Sequence, residues 1–180
     1  MTNPRTPAEA LTTLAEAREV FFKNAEEDGS DCPCCDRYGK IYKRKLHSAM
    51  AAVLVLLYRH RGLGFVHVHK LNAMRGGRLD SRGDFAKLRH WGLIEESATT
   101  QKQSAYDIDK KRQGLWRITE SGEAFVEGRI RVYERILIYN TECLGVAGVE
   151  TVDIHEALGS HFSYAELMND AVWPLPDRER

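Results

Sequence analysis

Residues 81–119 decide the fold, and they read SRGDFAKLRHWGLIEESATTQKQSAYDIDKKRQGLWRIT. The beginning of this stretch predicts a helix over residues 81–91, capped by Ser81, because Phe85, Leu88 and Trp91 recur at helical spacing and share one face. The other face carries small and basic residues: Arg82, Gly83, Ala86, Lys87 and His90, with Arg89 on the flank. The pattern indicates a helix that packs on a core through its apolar side and turns cations outward.

Two short strands and a long polar loop follow this helix. Residues 93–96, LIEE, and residues 115–118, LWRI, have the composition of strands. The loop between them carries four cations: Lys102, Lys110, Lys111 and Arg112. Thr119 then stands before an acidic helix start, which predicts a further helix to about residue 127.

Upstream, residues 43–61 predict a core helix. Its apolar residues recur at helical spacing: Leu46, Met50, Val53, Leu54, Leu57 and Tyr58. Lys43, Arg44 and Lys45 stand at the expected helix start, where the helix dipole disfavours cations. A contact with phosphate therefore explains these three cations better than helix stability does.

The segment between the two predicted helices contains a strand, a short helix and a turn. Residues 64–69 predict a strand with His67 and His69 on one face, entering a helix near residues 70–74. The following Arg-Gly-Gly-Arg, which ends at Arg78, permits the tight reversal between the two helices of a helix-turn-helix.

Charge is unevenly distributed along the chain. The net charge is zero, yet residues 37–117 hold eighteen Lys and Arg against six Asp and Glu, a net of +12. Residues 1–36 have a net charge of −5 and residues 118–180 a net charge of −7. A basic centre between acidic ends predicts a surface that binds a polyanion, and it coincides with the predicted helix at 81–91 and the loop that follows it.

Three of the four cysteines stand together in Cys32-Pro33-Cys34-Cys35. Cys32 and Cys35 have the C-x-x-C spacing of a zinc knuckle, whose turn aims two thiolates at one structural Zn²⁺ ion. One such pair supplies two of the four ligands that the ion needs. The candidates for the others are Cys34, Cys143, His47, His67 and His69. Reduced, partly buried cysteines and a redox pair are alternative interpretations, although the βαβ context of a thioredoxin-like motif is missing.

The order helix, LRHWGLIEE, long polar loop, GLWRITESGEAFVEG resembles the winged-helix cores of the MarR and PadR regulator families, over about residues 43–128. In those families an L…GLI helix exit precedes a basic wing and an LT-x-x-G helix start. The resemblance implies DNA contacts by Arg82, Lys87, Arg89 and His90, with Lys110, Lys111 and Arg112 in the wing. The segment CPCCDRYGKIYKRKL is similar to uncharacterised phage and prophage proteins that carry C-P-x-C ahead of a winged helix. The cysteine pair and the C-terminal residues are not part of the MarR and PadR pattern.

The chain is accordingly expected to belong to the α+β class, with a winged helix-turn-helix core. Residues 1–30 predict a helix over 7–24 with Thr6 as its cap, for support or dimerisation. The other expected parts are a zinc knuckle at 31–42, the winged helix at 43–128, and a C-terminal hairpin and short helix at 129–180. Asn140-Thr141 is the expected hairpin turn, and Ser163 the expected helix cap.

The predicted function is a DNA-binding transcriptional regulator of bacterial or phage origin. It would bind double-stranded DNA as a homodimer, because one winged helix reads only a few base pairs. A protein-interaction module built on a winged-helix scaffold and a phage DNA-metabolism accessory protein are the alternatives. No phosphate loop or nucleophile motif is present, so no enzyme is predicted. Without a secretory signal or an apolar run of about 20 residues, we expect a cytoplasmic protein without a membrane partner.

Overall fold

The computed structural model describes residues 13–74, 83–98 and 114–169. Helices and small antiparallel sheets alternate along this part of the chain, which confirms the predicted α+β class. Among the described residues, none of the helices is both long and apolar enough to cross a membrane.

Six α-helices, two short 3-10 helices and nine short strands make up the described ranges. The α-helices are α1 (Leu14–Glu27), α2 (Ser48–Arg59), α3 (Val68–Met74), α4 (Glu120–Val126), α5 (Ile154–Leu158) and α6 (Tyr164–Asn169). The 3-10 helices span Arg61–Leu63 and Asp84–Trp91. The strands are β1 (Ser30–Asp31), β2 (Tyr38–Gly39), β3 (Tyr42–Lys45), β4 (Ile94–Glu96), β5 (Trp116–Ile118), β6 (Val132–Tyr133), β7 (Arg135–Tyr139), β8 (Glu142–Val146) and β9 (Thr151–Val152).

Contacts within the chain divide it into two compact units. The first contains Met1–Arg44 and Ile136–Ala147, and the second contains Lys45–Arg135 and Gly148–Arg180. The β7–β8 hairpin, which the sequence assigns to the C-terminal appendage, therefore groups with the N-terminal part of the chain.

Helix α1 of the first unit begins with a capping box. The Glu16 backbone N–H donates to Thr13 Oγ1 over 3.3 Å, and the Thr13 N–H donates to Glu16 Oε2 over 2.8 Å. The predicted end at residue 24 is wrong, because Glu26 and Glu27 remain helical and the chain turns only at Gly29, whose φ is +95°. Thr6 and the expected first turns up to residue 12 lie outside the described residues.

A small apolar core and a hairpin complete the first unit. Phe21, Ala25 and Ile41 are buried together, with the ring of Tyr139 packed edge-on against Phe21. The predicted turn at Asn140-Thr141 is confirmed: both residues have positive φ, 46° and 69°, and join β7 to β8. Positive φ at both turn residues defines the type I′ turn, whose twist suits a two-residue hairpin.

Helix α2 is the centre of the second unit. It is buried on all sides from Met50 to Leu57, as expected for the core helix. It begins at Ser48, however, and not at residue 43, because residues 42–45 form strand β3 in the sheet β3-β7-β8. The predicted helix start at Lys43-Arg44-Lys45 is therefore wrong, and the helix-dipole argument does not apply to these cations.

The two strands expected after residue 91 are present in the second unit and form a two-stranded ribbon. Strands β4 and β5 pair antiparallel, with Ile94 opposite Ile118. The predicted strand at 64–69 is reduced to a bridge, in which Val66 and Trp116 exchange two backbone hydrogen bonds of 2.9 Å. Helix α3 consequently begins at Val68, two residues before the predicted position.

The 84–91 helix differs from its prediction in type and start. It is a 3-10 helix whose N-cap is Gly83, with φ of +83°, in place of the predicted Ser81. Gly92, with φ of +69°, ends it as predicted. The turn at 75–78 and the loop residues 99–113 lie outside the part of the chain that the structure describes.

Helices α4, α5 and α6 close the core around α2. Thr119 caps α4 as predicted, since its Oγ1 accepts from the Gly122 N–H over 3.1 Å. Ser163 caps α6, where its Oγ accepts from the Glu166 N–H over 3.3 Å. Strands β6 and β9, which are adjacent in the fold, pair between α4 and α5 in sequence.

Candidate nucleic-acid interface

Three contacts fix the 84–91 helix on the second unit. Phe85 and Leu88 are buried, as predicted, and the Phe85 ring meets Trp116 edge-on at 5.8 Å between ring centroids. The Trp91 indole Nε1–H donates to the backbone oxygen of Tyr133 over 2.7 Å. This anchoring turns Lys87, Arg89 and His90 toward the surface. Ala86, which was expected on the outer face, packs partly buried against the core.

Lys87 is held by a carboxylate of its own helix. Its ammonium donates to Asp84 Oδ1, and His47 Nε2 lies 3.6 Å from the other oxygen of Asp84. Burial acts to raise the pKa of Asp84, but the hydrogen bond and charge of Lys87, followed by His47, lower it overall. Asp84 is therefore a carboxylate at neutral pH, and it offsets the charge that Lys87 would present to a ligand.

Arg89 is half exposed, and its carboxylate partner lies farther away than that of Lys87. Its Nη1 lies 3.8 Å from Glu96 Oε2 on strand β4. The Arg89 side chain is 44% exposed, whereas that of Glu96 is 18% exposed, so the guanidinium is accessible to a ligand although the carboxylate is mostly buried. Of the described cations on this helix, Arg89 is the best placed to contact a polyanion.

The His90 side chain offers hydrogen-bonding groups at the surface and carries no positive charge at neutral pH. Burial lowers the pKa of its imidazole, and the positive charges of Arg89 and Lys87 lower it further. The ring is thus neutral at pH 7 and offers one donor and one acceptor. The sequence could not indicate this, because the shift depends on burial and on the two neighbouring cations.

The cations at 43–45 belong to strand β3. Lys43 and Arg44 are exposed on the first unit, where the Arg44 guanidinium lies over the Tyr42 ring at 4.8 Å from its centroid. Lys45 lies in the second unit and pairs with Glu134 at 2.8 Å. Six further candidates lie outside the described residues: Arg78, Arg82, Lys102, Lys110, Lys111 and Arg112.

Arg117 is a surface cation that the sequence prediction overlooked. It stands between the buried Trp116 and Ile118 on β5, so the strand alternation directs it outward. Its guanidinium donates to Glu95 on β4 and lies 4.7 Å from the centroid of the Phe65 ring. The alternation at 116–118 was a sufficient sequence signal to include it.

The predicted zinc ligands fall in both units: the four cysteines in the first, and His47, His67 and His69 in the second. All four cysteine thiols are free, and Cys32 is half buried while Cys34, Cys35 and Cys143 are exposed. The ring of His69 packs edge-on against Phe85. Within the described ranges, no three Cys, His, Asp or Glu side chains are grouped so as to hold a metal ion.

No protein-family model, curated protein or solved structure matches the chain. The likeness to MarR and PadR regulators therefore rests on the sequence pattern alone and stays a prediction.

Proposed function

We propose that the chain is a DNA-binding protein of the winged helix-turn-helix type that acts as a transcriptional regulator. The observation that carries the proposal is the order of elements in the second unit. A core helix α2, the bridge at Val66, helix α3, the 84–91 helix and the β4–β5 ribbon follow one another, and Val66 pairs with β5. A winged helix has the same order, with its recognition helix just before the ribbon and its wing between the two strands.

The electrostatics of the sequence support this proposal. The segment between β4 and β5, which would be the wing, contains Lys102, Lys110, Lys111 and Arg112. The helix before the ribbon turns Lys87 and Arg89 to the surface, and Arg117 adds a third outward cation. Lys and Arg side chains bind phosphate oxygens, which provide most of the affinity for duplex DNA and fix the protein on it.

The neutral imidazole of His90 and the guanidinium of Arg89 suit base edges as well as phosphates. Arg donates two parallel hydrogen bonds to the O6 and N7 atoms of guanine, and a neutral histidine can both donate and accept in the major groove. Sequence discrimination would come from these side chains, whereas the wing cations would add affinity without discrimination.

A salt series with a labelled duplex of mixed sequence tests the proposal. We expect measurable binding at about 50 mM salt and a steep loss of affinity toward about 200 mM, because bound phosphates release counterions. Lys87→Ala and Arg89→Ala should each weaken binding to all sequences and reduce the slope of log affinity against log salt by about 1. Arg129→Ala is the matched control, since Arg129 is an exposed cation paired with Glu127 on the same unit. It should leave the slope unchanged.

Absence of binding to any duplex at low salt would refute the proposal, because phosphate contacts are detected there first. Selection of bound duplexes from a random pool then separates the two DNA-binding functions. A recovered motif supports a regulator. Binding without a motif supports the alternative of a phage DNA-metabolism accessory protein.

A protein-interaction module is the second candidate, and one observation favours it. Lys87 and Arg89 each have a carboxylate partner, Asp84 and Glu96, so their charge is partly compensated within the unit. Charge reversal distinguishes the candidates. If Arg89→Glu leaves duplex affinity unchanged, the 84–91 helix is a scaffold element and the interaction module is favoured.

A further inference from the structure

An extended segment of the first unit presents alternating aromatic and basic side chains. Residues 37–44 read RYGKIYKR and contain four cations and no acidic residue. Ile41 is buried in the small core, and a Cβ added at Gly39 would lie 2.5 Å from Phe21 Cζ, so these two residues face inward. Successive side chains of an extended chain point to opposite sides. The outward row is therefore Tyr38, Lys40, Tyr42 and Arg44.

Both tyrosine rings of this row are exposed on one side and supported on another. Tyr38 is 61% exposed and Tyr42 is 47% exposed. The Tyr38 ring packs on Gly29, where an added Cβ would overlap it, and its hydroxyl donates to the Asp28 oxygen over 2.6 Å. The Arg44 guanidinium lies over the Tyr42 ring. Exposed rings among cations form the kind of surface on which unpaired bases stack.

A groove with a volume of about 660 Å³ lies beside Tyr42. Its walls are the C-terminal half of helix α1 and residues 40–43, and every residue that lines it belongs to the first unit. The Ile41 N–H donates to the Ala25 oxygen over 2.8 Å, which fixes the two walls relative to each other. The volume is in the range of clefts that bind small ligands or parts of larger ones.

Three ammonium groups line this groove, those of Lys23, Lys40 and Lys43. Lys40 donates to the Asp28 oxygen over 3.3 Å, the same atom that accepts from the Tyr38 hydroxyl, so the groove continues to the Tyr38 end of the row. Within the described ranges, Lys23 and Lys43 have no ion-pair partner. Both ammonium groups are therefore available to the phosphates of a ligand.

Carboxylates in the groove narrow the class of ligand further. Glu26 and Glu27 of α1 line it together with the lysines. They repel a ligand that carries negative charge alone, such as a sulfated polysaccharide. They accept hydrogen bonds from the amino groups of bases, as Glu does from cytosine N4. A ligand with phosphates, amino groups and open ring faces satisfies the whole surface, and unpaired nucleotides have all three.

We propose that this surface of the first unit binds a single strand of nucleic acid. A base stacks on Tyr42, while the lysines of the groove contact phosphates and its two carboxylates accept from the amino group of the base. Residues four apart in an extended chain are separated by about 13 Å. A strand of several nucleotides can therefore reach both Tyr42 and Tyr38, whereas a single nucleotide reaches one of them.

This single-strand surface does not depend on the duplex site proposed for the second unit. A failure of duplex binding in the salt series would leave it standing, and its own failure would leave the duplex site standing. It also gives Lys43 and Arg44 a role, because the sequence predicts phosphate contacts for both.

Binding of labelled single strands to the full-length protein, measured by fluorescence anisotropy, tests the proposal. Strands of roughly ten nucleotides are used as DNA and as RNA of the same sequence, and the tighter of the two identifies the ligand. We expect binding at low salt that weakens as salt rises. Tyr42→Ala should weaken it about tenfold or more, whereas Tyr42→Phe keeps the ring and should retain it. Tyr133→Ala is the matched control, since Tyr133 is 44% exposed and belongs to the second unit.

The base composition of the strand tests the two carboxylates. A strand of cytidines should bind more tightly than a strand of thymidines, because cytosine has an amino group and thymine has none. The double variant Glu26→Ala, Glu27→Ala should bind both strands alike. Equal affinity of the parent protein for the two strands would overturn the contact between the carboxylates and the base.

Three further results would overturn the proposal. Absence of binding to both DNA and RNA strands at low salt would remove the site. Unchanged affinity in Tyr42→Ala, or an equal loss in Tyr133→Ala, would place the strand elsewhere on the chain. A sulfated polysaccharide that competes as well as an unlabelled strand would make the surface a general polyanion site.

Discussion

Gly122→Ala tests the packing that joins helix α4 to the ribbon. Gly122 is buried in α4, and a Cβ added to it would lie 2.1 Å from the Leu93 carbonyl oxygen and 2.6 Å from Ile118 Cγ1. Real Cβ atoms do not approach other atoms this closely, so the backbone at Leu93 has to move. That movement disturbs the hydrogen bond from the Thr119 N–H to the same carbonyl oxygen, which is 3.1 Å long.

Three effects decide the size of the stability change, one stabilising and two destabilising. Alanine is favoured over glycine inside a helix by about 1 kcal/mol. Overpacking a core costs about 1–3 kcal/mol, and weakening the Thr119–Leu93 hydrogen bond adds about 1 kcal/mol. We therefore expect Gly122→Ala to lower the free energy of unfolding by about 2 kcal/mol. With a urea slope of about 2 kcal/mol per molar, the midpoint should fall by about 1 M.

Urea unfolding followed by tryptophan fluorescence measures this change, because all three tryptophans of the sequence belong to the second unit. Gly62→Ala is the matched control, because nothing lies within 4 Å of its added Cβ and its φ is outside the left-handed region. The control should unfold at the midpoint of the parent or slightly above it. A Gly122→Ala midpoint equal to or above that of the parent would refute the close approach of α4 to residue 93.

Four further predictions follow from single contacts. Thr119→Ala removes the α4 cap and should cost about 1 kcal/mol in urea unfolding; an unchanged midpoint would contradict the cap. Thr141→Gly relieves a β-branched residue at φ of +69° and should raise the stability of the first unit by roughly 0.5–1 kcal/mol, measured by hydrogen exchange of β7 and β8. Glu96→Gln frees Arg89 and should tighten duplex binding in the salt series; weaker binding would exclude Arg89 as a contact. Because its pKa is lowered, the Cys32 thiol should react with iodoacetamide at a lower pH than an ordinary cysteine, and mass spectrometry of the peptide containing residue 32 gives the titration.

The sequence predicted those parts of the fold whose information is local. Helix α2 followed from apolar spacing, the ribbon from two short strand patterns around a polar loop, and the β7–β8 turn from Asn140-Thr141. In each of these cases the residues that determine the element are neighbours in the chain. Hydrophobic periodicity and turn residues depend on such near neighbours, so the sequence alone is enough to predict these elements.

Strand β3 could not be predicted because its partner is distant. Residues 42–45 continue the helical pattern of α2 when only near neighbours are counted, yet they pair with β7, more than 80 residues later. The same limit applies to the short β6–β9 pair between residues 132–133 and 151–152. A strand of two to four residues has too few positions to show alternation, so tertiary pairing decides it.

The sequence predicted which residue types the candidate interface contains, but it predicted only part of the electrostatics of that interface. Composition indicates where cations are, but carboxylates brought in by the fold determine how much charge remains for a ligand. Asp84 is a neighbour of Lys87 in the same helix, and the sequence contained this pair. Glu96 reaches Arg89 only because β4 folds back beside the helix. If the chain binds DNA through Arg89, phosphate must compete for the guanidinium with Glu96, which lies 3.8 Å away and is mostly buried. How much positive charge residues 81–91 present therefore depends on whether a ligand displaces the carboxylate. Glu96→Gln removes that competing carboxylate and leaves Arg89 in place, so it tests Arg89 more directly than removal of Arg89 does.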